Sequence, residues 1–166
     1  MKDSGRWVAT GAIAMLLSGC ATTSVLIPEG YGGPIATIKD NAVSETKNRG
    51  QFFYVAEIDG KRVDNALQTT RVANSGAGFA LSPVPFAREV LVRPMTLKLQ
   101  ARVAYGAPLQ AMANATTLYT AESVLTFTPE PNKNYLVTGA LNESQQLVWL
   151  QDEQGNKLAA DAPASK

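Results

Sequence analysis

The strongest constraint on this chain is a long alternation of apolar and polar residues. Met95, Leu97, Leu99, Ala101, Val103 and Tyr105 alternate with Thr96, Lys98, Gln100, Arg102 and Ala104. A period of two places the first set on one face of an extended strand and the second set on the other. A helix would spread the same apolar residues around its circumference and bury few of them. The strand therefore needs a covering layer on one side, supplied by a second sheet or by the same sheet curling on itself.

Shorter segments extend this pattern. Residues 52–58 are rich in aromatic and β-branched types and run into Asp59-Gly60, a two-residue hairpin signal, with 61–63 returning. Residues 35–38, 89–93, 124–128, 135–141 and 147–151 are further strand candidates. Pro94 interrupts one of them, and Pro129 and Pro131 stop another. Asn142-Glu143-Ser144 links the last two, and Gln154-Gly155-Asn156 turns the chain toward a short strand at 157–158.

Two stretches resist a strand reading. Residues 64–73 offer Asp64 as an N-cap and the helix formers Ala66, Leu67 and Gln68. Residues 107–121 read as a helical turn or a long loop: Ala111-Met112-Ala113 favour helix, while Asn114 and the Thr116-Thr117 pair do not. The expected fold is mainly β, an antiparallel β-sandwich of about 7–8 short strands with one or two short helical segments. A β-barrel is the nearest alternative. A membrane-spanning barrel needs several strands of about ten residues with a lipid-facing apolar side, and only the segment from Met95 to Tyr105 has that length.

Composition narrows the chemistry. The 166 residues contain no His and a single Cys. Mechanisms built on imidazole are thereby excluded, as are His-ligated metal sites and an internal disulfide. A formal net charge of +1 gives no electrostatic case for a nucleic-acid partner.

Each remaining constellation has a plainer structural reading. Asp59-Gly60-Lys61 displays a carboxylate and an ammonium, but it suits a tight turn better than a reactive loop. Ser75-Gly76-Ala77-Gly78 lacks the following helix and Lys of a phosphate loop, since Phe79, Pro83 and Pro85 keep the next segment extended. The carboxylates Glu57, Asp59, Glu89, Glu122, Glu130 and Asp152 are scattered, with no spacing that marks a glycosidase-like pair. No Ser-x-x-Lys falls at a helical site. No catalytic residue, cofactor or metal is therefore expected. Arg88, Arg93, Lys98 and Arg102 would form a basic surface patch if 89–93 paired with the long strand. The plainer reading is a solvated face balanced by Glu57 and Glu122. Trp149, in Leu147-Val148-Trp149-Leu150, reads as a core anchor on a strand covered on both faces.

The amino terminus carries the most specific motif. Lys2 and Arg6 precede an uncharged apolar run over residues 7–17, too short to span a bilayer, followed by Leu17-Ser18-Gly19-Cys20. This arrangement resembles the bacterial lipoprotein signal, the lipobox. The resemblance implies that the chain is cut between Gly19 and Cys20 and that Cys20 is lipidated and N-acylated. It also implies, from Ala21 rather than Asp in the next position, retention at the outer membrane facing the periplasm. Losing Lys2, Asp3 and Arg6 with the signal leaves equal numbers of acidic and basic residues.

The expected organisation is a signal peptide at 1–19, a lipidated Cys and flexible tether at 20–33, a β domain at 34–158 and a loose tail at 159–166. The functional expectation is a non-enzymatic envelope lipoprotein. It would be held to the membrane by its acyl chains and make protein–protein contact with another envelope protein. The alternative is capture of a small ligand, glycan or lipid in a cleft of the sandwich or under residues 107–121. The domain's layout is also similar, at the level of fold alone, to small bacterial lipoproteins with transthyretin- or immunoglobulin-like sandwiches.

Overall fold

A computed structural model of the protein describes residues 26–158. The signal segment, Cys20 and the 159–166 tail lie outside the described residues. Eight strands and two helices follow in the order β1 (Ile35–Thr46), β2 (Arg49–Ile58), β3 (Lys61–Arg62), α1 (Ala66–Ala73), β4 (Phe86–Leu91), β5 (Met95–Tyr105), α2 (Pro108–Ala113), β6 (Thr120–Phe127), β7 (Asn134–Leu141) and β8 (Gln146–Gln151). A short 3₁₀ turn, Ala115–Thr117, follows α2.

The strands form one sheet in the order β6-β5-β2-β1-β7-β8, with β3 on β2 and β4 on β1. The sheet is mixed and nearly closes into a barrel, which corrects the wholly antiparallel arrangement expected from the sequence. The reason is β1, which pairs with β7 in parallel through Thr37, Ile38 and Lys39. Its first half pairs with β4 and its second half with β2, up to the register Thr46↔Arg49. One continuous strand thus serves two parts of the sheet. Parallel neighbours cannot be joined by a hairpin, and the chain between β1 and β7 supplies every other strand except β8.

The interior is filled by the inward residues of this curved sheet. Ile38, Val55, Leu97, Leu99, Val137 and Leu150 are fully buried there. Leu26, in the segment read as tether, also packs against this core. Phe127 and Tyr135 meet edge to face at 5.3 Å, and the Tyr135 hydroxyl accepts the Glu130 N–H at 2.8 Å. Along β5 the apolar residues point inward and the polar ones outward. Among the described residues no helix is long and apolar enough to cross a membrane.

A second, smaller core lies outside the sheet. Phe52 and Tyr54, on the outer face of β2, pack with Ala66 and Leu67 of α1 and with Leu81. That is why Phe52, Phe53, Tyr54 and Val55 are all buried although alternate residues point opposite ways. The cap of α1 is Asn65, not Asp64: its side chain accepts the Gln68 N–H at 3.1 Å. The 107–121 stretch divides into α2, with Pro108 at its start, the 3₁₀ turn and the beginning of β6. Asp59 and Gly60 both take positive φ, as the hairpin signal required.

Candidate functional site

Asp40 occupies the point where β1 passes from β4 to β2. Its carboxylate is buried and accepts from the Val55 N–H at 3.1 Å, the Ala66 N–H at 3.0 Å and the Arg88 guanidinium at 2.6 Å. β1 leaves β2 at the Asn41↔Phe53 pair, so the carboxylate satisfies an amide that the ladder no longer serves. It also anchors the first turn of α1 to the sheet. Burial raises Asp40 above the ordinary carboxylate value, against the opposing pull of Arg88 and the two amides. Burial likewise pulls Arg88 down, opposed by Asp40. Arg88 Nε and Nη1 have no hydrogen-bond partner among the described residues.

The four basic residues singled out from the sequence are not one patch. β4 pairs with β1 instead of β5, so Arg88 turns into the protein to meet Asp40. Arg93 pairs with Asp59 at 2.6 Å. Burial alone would raise Asp59, but the Thr96 N–H and Arg93 hold its carboxyl below the ordinary value. Lys98 lies between Glu57 at 4.0 Å and Glu122 at 3.2 Å on the outer face of β5, the balanced face the sequence suggested. Of the four, only Arg102 makes no ion pair among the described residues, although Glu122 lines a cleft with it. Trp149 is not a core anchor either: Val148 and Leu150 point into the barrel, and Lys157 Nζ lies 4.8 Å over the half-buried indole on the outer face.

Two surface features stand out. The first is a groove of about 420 Å³ between α1 and α2 over the outer face of β5. Leu67, Leu81, Ala104, Ala111 and Leu118 give it an apolar lining, and its charged residues are Arg71 and Arg102. Neither guanidinium has a hydrogen-bonding or ion-pair partner among the described residues. Both also line an adjoining, more polar cleft of about 280 Å³ that contains Tyr54, Gln100, Lys98 and its partner Glu57. The Tyr54 hydroxyl donates to Gln100 at 3.1 Å, and burial raises its pKa.

The second feature is the seam where the barrel fails to close. β6 and β8, the two ends of the sheet, come together without pairing and leave a cleft of about 330 Å³ lined by Val124, Leu125, Leu147, Trp149 and Leu158. The Val103 N–H donates to the Tyr119 carbonyl. Antiparallel alternation from that bond turns the backbone groups of Glu122, Val124 and Thr126 away from β5. That edge has no strand partner among the described residues. Val124 is 60% exposed and Leu147 50%.

In comparisons with known proteins, no family model, no curated protein and no solved structure matches the chain. Among the described residues no group of three His, Cys, Asp or Glu is placed to hold a metal ion. Asp40 and Arg71 were missed in the sequence. The signal for Arg71 was present, because Leu67 and Arg71 are four apart on a helix and so share a face. For Asp40 there was none, since its partners come from β2, α1 and β4.

Proposed function

We propose that the chain is a lipid-anchored lipoprotein of the bacterial envelope whose β domain is non-enzymatic and works by contact with another envelope protein. Acyl chains on Cys20 would hold it to the outer membrane, facing the periplasm. Two or more chains anchor a protein stably. The observation that carries the contact reading is the unpaired outer edge of β6 beside exposed Val124 and Leu147. An open edge offers N–H and C=O groups to an incoming extended segment, and the flanking apolar side chains receive alternate residues of that segment.

The test is site-specific crosslinking in intact cells from a photoreactive residue at Leu147, which lines the same cleft across the seam, with Val124 intact and as Val124→Pro and Val124→Lys. The Val124 N–H faces outward, so proline there removes a donor from the free edge without breaking the β5 ladder. Loss of a protein crosslink in both variants, with an unchanged melting temperature, supports the reading. A protein crosslink that survives in both, or no protein neighbour at all, defeats it. The anchor has its own check: Cys20→Ser should leave an uncut, unacylated precursor. A variant that still matures to the same size overturns the lipobox assignment.

The groove beside α2 favours a second reading, capture of a small ligand. Its volume of about 420 Å³ falls within the range of ligand pockets, roughly 300–1,000 Å³.

A further inference from the structure

We infer that the groove between α1 and α2 is a site for a single-chain anionic amphiphile, with the acid group held by Arg71 and Arg102 and the aliphatic chain lying over β5. The inference rests on the small-ligand reading and adds the chemical class of the ligand.

The argument begins with the distribution of charge. On the outer face of β5 the nearby carboxylates are already engaged: Glu57 and Glu122 both flank Lys98, and Glu122 also accepts from Gln100 at 3.0 Å. Arg71 and Arg102 make no ion pair among the described residues, and the apolar groove they line contains no carboxylate; Glu57 and Glu122, which line the neighbouring clefts, are directed to Lys98. Two guanidiniums that line one groove without an ion pair of their own repel each other. An oxyanion between them removes that repulsion and accepts charge-assisted hydrogen bonds from both.

Geometry supplies the second half. Because Arg71 and Arg102 line both the apolar groove and the polar cleft next to it, they mark the boundary between a compartment suited to hydrocarbon and one suited to a solvated head. Leu67, Ala111 and Leu118 border the apolar side, and Tyr54 and Gln100 the polar side. A ligand that is polar throughout would leave the apolar lining wet, and an uncharged hydrocarbon would leave the guanidiniums unanswered. A molecule with an acid head and an alkyl tail satisfies both. Carboxylate and phosphate monoester heads share this chemistry.

The experiment is calorimetric titration of the full chain carrying Cys20→Ser, so that no acyl chain of its own competes. The titrants are dodecanoate, dodecyl phosphate and the uncharged monododecyl glycerol ether, each below its micelle concentration. Binding of either acid, at least about tenfold tighter than the ether, supports the inference. The better acid identifies the head group. Arg71→Gln with Arg102→Gln should weaken acid binding by about tenfold or more and leave the ether unaffected, while Ala111→Trp should block both by filling the groove. Equal affinity for acid and ether, with no effect of the arginine changes, overturns the anion assignment and leaves the small-ligand reading standing. No binding of any titrant defeats both. Both arginines are exposed, so their loss does not endanger folding.

Discussion

The two faces of the sheet around β2 and β5 have the same local ingredients and very different completeness. Inside, Val55, Leu97, Leu99 and Val103 are buried almost completely by residues from the other strands. Outside, α1 covers Phe52 and Tyr54, Ala104 packs at the edge of that cluster and Arg102 stays exposed, and α2 covers no more than the far end of β5. Closure of a curved sheet leaves its interior no choice but to fill. The outer face depends on two short helices, and the space between them stays open. The difference separates what holds this domain together from what is free to recognise something else.

Asp40 ties the two faces together, and its removal should produce the largest effect. Asp40→Ala leaves Arg88 as a buried charge without its partner and strands two amides. A loss of about 3–5 kcal/mol is expected, read by urea denaturation. A loss below about 1 kcal/mol would show that the two faces are held independently. A truncation on each face sharpens the comparison. Leu99→Ala should cost about 2–5 kcal/mol, because the closed interior cannot collapse around the cavity. Leu67→Ala, beside the open groove, should fall at the bottom of that range. Equal costs would mean that the outer core is as tightly packed as the inner one.

The smallest effect concerns a surface pair. Asp59 is depressed when folded by the Thr96 N–H and Arg93. Its contribution is therefore present above the ordinary carboxylate pKa and disappears as the pH falls through the folded value. Asp59→Asn should lower stability at neutral pH by less than about 1 kcal/mol, since the pair is exposed, and the two proteins should converge in acid. A difference that persists at low pH would mean that the turn geometry, and not the charge, is what Asp59 supplies.

Local patterning was legible wherever one face of a strand is buried by its own chain neighbours. The Met95–Tyr105 strand appears with the boundaries its alternation indicated, and the Asp59-Gly60 turn, the 61–63 return and the strands near 135–141 and 147–151 appear close to their expected places. The sequence marks only residues 35–38 of β1, because Lys39, Asp40 and Asn41 interrupt its apolar run. Asp40 turns out to be buried through partners distant in the chain. Trp149 was misplaced because Leu147-Val148-Trp149-Leu150 is apolar in both registers, and alternation cannot choose between two apolar faces.

By itself, then, the sequence determined that this is a β-rich chain without imidazole or internal disulfide chemistry, that 64–73 contains a helix, and that the long strand buries one face. Those properties follow from residue type and from periodicity, which act over a few neighbours. Tertiary structure alone decided that β1 and β7 run parallel, that the sheet curls and stops short of closing, that Arg88 turns inward while Arg102 does not, and that Arg71 comes to stand beside Arg102. Each of these depends on which strand edges meet, and pairing between residues far apart in the chain is set by the global packing of the core, not by any local signal.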